Sequence, residues 1–324
     1  MRHSGIPIVV AATIAFSPDF AFAQGAADYP SRLVRIIVSS APGAGADLQA
    51  RFIAPKLSES MKQPFVIENR PGAGDTIGTG LAAKSAPDGY TLMLASASFT
   101  IAPALYPAFT VDPIRDFAPI SVSTRVPYLL SVHPALPVKS VRELIALAKS
   151  KPGALYMGIT NGSINHLGGA YFASMANIKV TLIPYKSTAI TMTDVMTGQI
   201  HMFLQNFQAS LPHVKSGRLK ALAVSTAERS SALPGVPTVS ESGVPGYDVS
   251  AWYGWLAPAG VPASIVNKLN GEIVKTVRSP DIAKRMTDDG AEPFGSTPEQ
   301  FGQVIVSEVA RWGKVVKDLN IRVE

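Results

Sequence analysis

The sequence predicts an α/β fold of the doubly wound kind, and two observations point there. Short, nearly continuous apolar runs of about 4–8 residues recur along the chain, the mark of strands buried on both faces of a parallel sheet. Between them lie segments whose apolar residues repeat at helical spacing, and strands alternating with helices imply such sheets. The chain has 324 residues, enough for two domains at about 100–200 residues each.

Arg2 and His3 lead into an apolar stretch over 6–16. A polar break at Ser17-Pro18-Asp19 follows, and then Ala21-Phe22-Ala23. Basic start, apolar centre and A-x-A end are the parts of a secretory signal peptide, expected over 1–23 with cleavage after Ala23. The run is too short to span the ~30 Å of a bilayer core, and Asp19 interrupts it.

Strand-like runs then occupy 34–39, 65–68, 91–95, 128–132, 155–159, 180–184, 200–204 and 219–224, with another at 251–256. The first helix carries Leu48, Phe52, Ile53, Leu57 and Met61 on one face after Asp47, which is its N-cap if the turn before it is an ordinary one. Pro55 should kink that helix about two turns in. Ser140 and Glu143 form a capping box that opens a helix running to Lys149. Gly198 and Gly217 fall where left-handed helix ends belong. Thr297-Pro298-Glu299-Gln300 starts a last helix with Phe301, Val304, Ile305, Val309, Trp312, Val316 and Leu319 along one face. The Pro- and Gly-rich stretch 233–246 precedes the strand at 251–256 and suggests that the chain crosses back there to its first domain.

Composition excludes several functions. With no cysteine there is no disulfide, thiolate metal site or cysteine nucleophile. Lys plus Arg number 29 against 23 Asp plus Glu, a net +6. That charge is dispersed, so it offers no nucleic-acid stripe. No histidine pair has metal-ligand spacing. No motif asks for a cofactor, and Asp288-Asp289 before Gly290 reads as a solvated helix end.

What remains are four neutral polar clusters at the C-terminal ends of strands, the edge where open α/β sheets bind ligands. The first is Gly43-Ala44-Gly45, a glycine turn between strand and helix that suits a small anion. Leu48 breaks the dinucleotide pattern and no lysine makes it a P-loop. The second runs from Thr160 to His166, the third is Ser96-Ala97-Ser98, and the fourth is Gln205-Asn206. Ser163 and His166 stand three apart, but the nucleophile-elbow pattern G-x-S-x-G is absent.

Several stretches resemble one family. Tyr29-Pro30-Ser31, the 42–47 turn, Glu68-Asn69-Arg70-Pro71-Gly72-Ala73-Gly74 and Ala86-Pro87-Asp88-Gly89-Tyr90-Thr91-Leu92 occur in order. They are followed by Asp116-Phe117-Ala118-Pro119-Ile120, Pro184-Tyr185-Lys186, Leu233-Pro234-Gly235-Val236-Pro237-Thr238 and Leu256-Ala257-Pro258-Ala259-Gly260. The chain thereby resembles the periplasmic solute-binding receptors of tripartite tricarboxylate transporters, the Bug family, over nearly its whole mature length.

The resemblance implies a type II periplasmic-binding-protein fold with two α/β lobes, 24–126 plus 251–324 and 127–250. It implies closure on a small carboxylate, hinged near 124–128 and 250–254, and delivery to membrane permease subunits by a monomeric, non-enzymatic periplasmic receptor. The ligand would meet Gly43, Ala44, Gly45, Ala46, Asp47, Ser96, Ser98, Thr160, Asn161, Gly162, Ser163, Asn165, His166, Ser187, Gln205 and Asn206. Departures from the family pattern are Ala44 and Ala46 in the first turn, Pro55, and Gln205 in place of an acid. The last favours a carboxylate or dicarboxylate without an amine. Phe99, Phe207 and Trp252 leave room for an aromatic acid. Two alternatives stay open: a sensor feeding a membrane kinase, and an exported hydrolase using Ser163 and His166.

Overall fold

Two successive strand–helix–strand–helix–strand runs build the sheet of this computed structural model, which describes residues 28–72, 74–185, 188–288 and 290–322. The elements are β1 (Val34–Val38), α1 (Gly45–Met61), β2 (Phe65–Asn69), α2 (Thr76–Ala83), β3 (Thr91–Ser96), α3 (Ser98–Leu105) and β4 (Phe117–Val132). Next come α4 (Val141–Ser150), β5 (Tyr156–Thr160), α5 (Ile164–Met175), β6 (Thr181–Tyr185), α6 (Thr188–Met196), β7 (Met202–Asn206), α7 (Phe207–Lys215) and β8 (Lys220–Val224). The chain finishes with β9 (Ser250–Pro258), α8 (Ala263–Val277), α9 (Pro280–Asp288), β10 (Glu292–Pro293) and α10 (Pro298–Asp318). The proposed signal peptide lies outside the described residues. No helix among them is long and apolar enough to cross a membrane.

The strand order is β2-β1-β3-β9-β4-β7-β5-β6, with β10 and β8 also paired to β4. Within it, β2, β1 and β3 are parallel, as are β6, β5 and β7. The sheet is therefore mixed: β9 runs antiparallel between β3 and β4, and β4 antiparallel to β7. Each half repeats one order, in which the first strand lies between the second and the third. The crevices where such an order reverses, β1/β3 and β5/β7, are where α/β sheets bind ligands.

β4 joins the halves. From Phe117 to Pro127 it pairs with β9, and from Tyr128 to Val132 with β7 and β8. The run expected over 128–132 is thus only the end of a 16-residue strand. Ser121, Ser123 and Thr124 hide its first half from the apolar pattern. Each is fully buried and bonded across the fold: Ser121 Oγ donates to Ser296 O, Ser123 Oγ to Tyr253 O, and Thr124 Oγ1 to Gln49 Oε1. The outer strands β2 and β6 are only partly buried rather than buried on both faces.

Helix ends mostly follow local chemistry. Thr297 and Gln300 cap α10 reciprocally. At α4, Ser140 Oγ accepts from Glu143 N, but the returning Glu143 carboxylate takes the amide of Lys139 instead. α1 runs unbroken through Pro55, and its N-cap is Ala44, not Asp47. Gly198 and Gly217 are left-handed, as expected. α10 lays Phe301, Ile305, Trp312 and Val316 against the sheet. Trp312 Nε1 donates to buried Glu308 at 2.7 Å.

The three aromatics considered for a cleft are core. Phe99 meets Phe117 edge-on, Trp252 meets Phe301 the same way, and Phe207 is fully buried.

Candidate functional site: two braced turns and a shared cavity

The first turn leaves β1 through Ser39 and Ser40 and reaches α1 at Gly45. Gly43 holds φ +81°, open to a residue without a Cβ. Its amide donates to Asp47 Oδ2 at 2.8 Å. Asn69 Nδ2 donates to Asp47 Oδ1 at 3.0 Å, and Arg51 Nε to Oδ2 at 2.8 Å. These bonds, Arg51's above all, hold the Asp47 carboxyl down at about 2. Asp47 is therefore a permanently ionised brace whose oxygens are committed inside the turn. With no side-chain cap on α1, the amides of its first turn are left to an outside acceptor. Gly45 is required by proximity, since a Cβ there would sit 1.9 Å from the Tyr253 hydroxyl.

The second turn, between β5 and α5, is braced in the same manner by a neutral residue. Asn165 Oδ1 accepts from Thr160 N at 2.9 Å and from Ser163 Oγ at 2.6 Å. Gly162 stands at φ +70° and donates its amide to His166 Nδ1 at 3.3 Å. Burial lowers the pKa of His166. The Ser163 proton is drawn to Asn165 Oδ1 and to Thr160 O, 2.7 Å away. Ser163 and His166 are thus each engaged with other groups in the turn.

At the end of β3, Ser96 Oγ donates to Asp75 Oδ2 at 3.2 Å and accepts from Ser98 N at 3.3 Å. At the end of β7, Gln205 Oε1 accepts from Asn206 N, and Asn206 caps α7 by accepting from Ala209 N. That fixes the Gln205 amide so that Nε2 is its free donor, and Nε2 is buried without a partner. Ser40 Oγ and Thr160 Oγ1 are likewise unpartnered. All three orphans stand at the strand ends from which these turns depart. Ser187 lies outside the described residues.

A cavity of about 120 Å³ joins the two halves. Its walls are Gly74, Asp75, Ser98, Ile101, Ala102 and Tyr106 from one side and Asn161, Gly162 and Ser163 from the other. Ser98 and 161–163 are thus brought together, while 43–47, Thr160, Gln205 and Asn206 lie off this wall. Among the described residues, no lysine or arginine lines it. Asp75 was not foreseen: it follows the glycines of the 71–74 stretch, and a lone acid before a helix reads as a cap. It adopts φ +72° and makes no cap bond, an uncommon backbone for a residue with a Cβ.

A larger cavity of about 600 Å³ lies between α10, β9 and 226–231. Four carboxylates and three guanidiniums line it, and Arg229 and Arg311 are already paired with Glu241 and Glu308. That balance does not suit an anion, and the strand-end turns are elsewhere.

Residues 49–321 match the family model described as "Tripartite tricarboxylate transporter family receptor". The chain belongs to this family. Members of this receptor family are periplasmic solute-binding proteins, not enzymes. Protein BugT of Bordetella pertussis is 36% identical over 299 residues, covering 91% of this chain and 92% of BugT. Among solved structures, R. palustris Rpa4515 with adipate is 37% identical with a TM-score of 0.78, covering 91% of this chain and 99% of that one. MatC from Rhodopseudomonas palustris with bound malate is 31% identical with a TM-score of 0.74, covering 89% and 100%. These receptors share the mixed α/β fold described above. Both ligands are dicarboxylates.

Proposed function

We propose that this chain is an exported periplasmic receptor that captures a small dicarboxylate between two lobes and hands it to a membrane permease. The lobes are 24–126 with 251–324, and 127–250, and they close about β4 and β9 where pairing passes from one half of the sheet to the other. Cleavage after Ala23 frees the mature receptor. Three buried, unpartnered polar atoms, Ser40 Oγ, Thr160 Oγ1 and Gln205 Nε2, carry this reading. Buried polar groups are rarely left without partners, and a ligand that supplies them accounts for these three, which stand at the C-terminal strand ends of the two half-sheets. Uncapped first turns at α1 and α5 add partial positive charge there. The adipate and malate of the two relatives support the ligand class.

Holding an anion with neutral donors avoids the desolvation cost of a buried ion pair and leaves release easy. The test is a thermal-shift series on the mature protein with adipate, malate, aromatic acids and amino acids. A cognate ligand at a hundredfold over its Kd stabilises the fold by about 2.7 kcal/mol. A shift with a dicarboxylate that disappears with its diester or diamide supports the reading. No shift with any acid, from a protein with a cooperative melt, refutes it.

A further inference from the structure

Asp75 puts an acid inside a site built for acids. Its half-buried carboxyl forms part of the 120 Å³ cavity wall, across from 161–163. Ser96, Ser98 and Ser39 offer it hydroxyls, and Tyr253 lies close by, next to Ser96 in the strand register. The Tyr106 ring packs over Gly74 beside it. No lysine or arginine is among these neighbours within the described residues. The cavity has room for several waters and so admits one carboxylate end of a ligand. A carboxylate there stands within reach of Asp75, and two carboxylates at hydrogen-bond distance do not both stay ionised.

Resting on the receptor reading above, we propose that Asp75 receives the ligand as the carboxylic acid, donating its proton to a ligand carboxylate oxygen, so that capture takes up one proton from water. No bond of the ligand changes; the proton stays on Asp75 and leaves with release. Burial already displaces the Asp75 equilibrium upward against the pull of three hydroxyls. An arriving anion acts in the same direction. The receptor thus prefers its ligand on the acid side, and Asp75 sets which end groups it accepts.

Other titrating neighbours stay silent in the working range. Asp47 is held at about 2, Tyr253 is pushed up to about 12, and burial keeps His166 neutral above its ordinary value.

The experiment is calorimetry with adipate on the mature protein, from about pH 6.5 to 8.5, where the probe is fully ionised. The wild type should weaken with rising pH, approaching about tenfold per unit. Buffers of different ionisation enthalpy should report proton uptake. Asp75→Asn keeps a neutral donor and tolerates the left-handed backbone. It should bind with no pH dependence and more tightly than wild type at the alkaline end, a gain that loss of a merely structural residue does not give. Asp75→Gly, at ease at this φ, guards against misfolding and should lose the pH dependence without the gain. Adipate binding with a flat profile, or a sloping profile kept by Asp75→Asn, overturns the role of Asp75 and leaves the receptor standing. No binding of adipate by either protein at any pH overturns this inference, and the thermal-shift series then decides the receptor reading on its own.

Discussion

Replacing Gly45 by alanine probes whether the first turn is positioned by the tyrosine behind it. The new Cβ would lie 1.9 Å from Tyr253 Oη and 2.8 Å from Cζ, where ordinary contact begins at 3.4 Å. The shortfall is far beyond the few tenths of an ångström a neighbour can yield. Tyr253 is only 9% exposed and sits in β9 between two strands, so its ring cannot swing out freely. Overpacking of this kind costs about 1–3 kcal/mol, or about 2–4 °C of melting temperature per kcal/mol. Affinity should fall as well, because the start of α1 must move. Tyr253→Phe removes the 1.9 Å contact and leaves the ring carbon, so the double variant should recover part of the loss. Urea unfolding and calorimetry on the four proteins of the cycle give the coupling directly. Additive effects, or an alanine variant as stable as wild type, would refute the claim that Tyr253 sets the turn.

Other expectations follow from the same contacts. Asp47 is depressed in the folded state, so its contribution is complete above about pH 4 and is lost as pH falls towards 2. Half-exposed Arg51 limits it to about 1–2 kcal/mol. Asp47→Asn should flatten this acid limb in urea midpoints across the range, and an unchanged limb would count against it. Asn165→Ala frees Thr160 N and Ser163 Oγ and should weaken ligand binding by about tenfold, about 1.4 kcal/mol, in calorimetry at neutral pH. Glu308→Ala orphans the buried Trp312 indole N–H and should cost about 1–3 kcal/mol in urea unfolding. Glu308→Gln, which keeps an acceptor, should cost less.

Much of the scaffold was legible because it depends on local patterns. The parallel units show as apolar runs, and the four strand-end clusters show as glycines and small polar residues following them. What escaped depends on tertiary partners. Phe117–Pro127 holds two prolines and three buried hydroxyl residues, which argue against a strand until Ser296, Tyr253 and Gln49 meet those hydroxyls. Asp75 looks like a helix cap until Ser96 and the cavity surround it. Asp47 appeared in the binding set, but its oxygens turn inward, and only the approach of Asn69 and Arg51 reveals it as a brace. Phe99, Phe207 and Trp252 have the right chemistry for an aromatic ligand but pack against neighbours from distant segments. Local sequence does not encode which distant segment comes to cover a side chain.

The antiparallel insertion of β9 between β3 and β4 has a consequence for biogenesis. The strands β1 to β3 are made early, yet the partner that covers the β3 edge starts at Ser250, and α10, which packs on β4 and α3, comes later still. During synthesis that early sheet therefore waits with an open, apolar edge, a hazard for aggregation. The middle segment β5 to β8 already has the second half of β4 to pair with, so order should spread from the centre of the chain outward. A chaperone that guards the unfolded chain has its main work on residues 34–105, and that work ends only when the last helix docks.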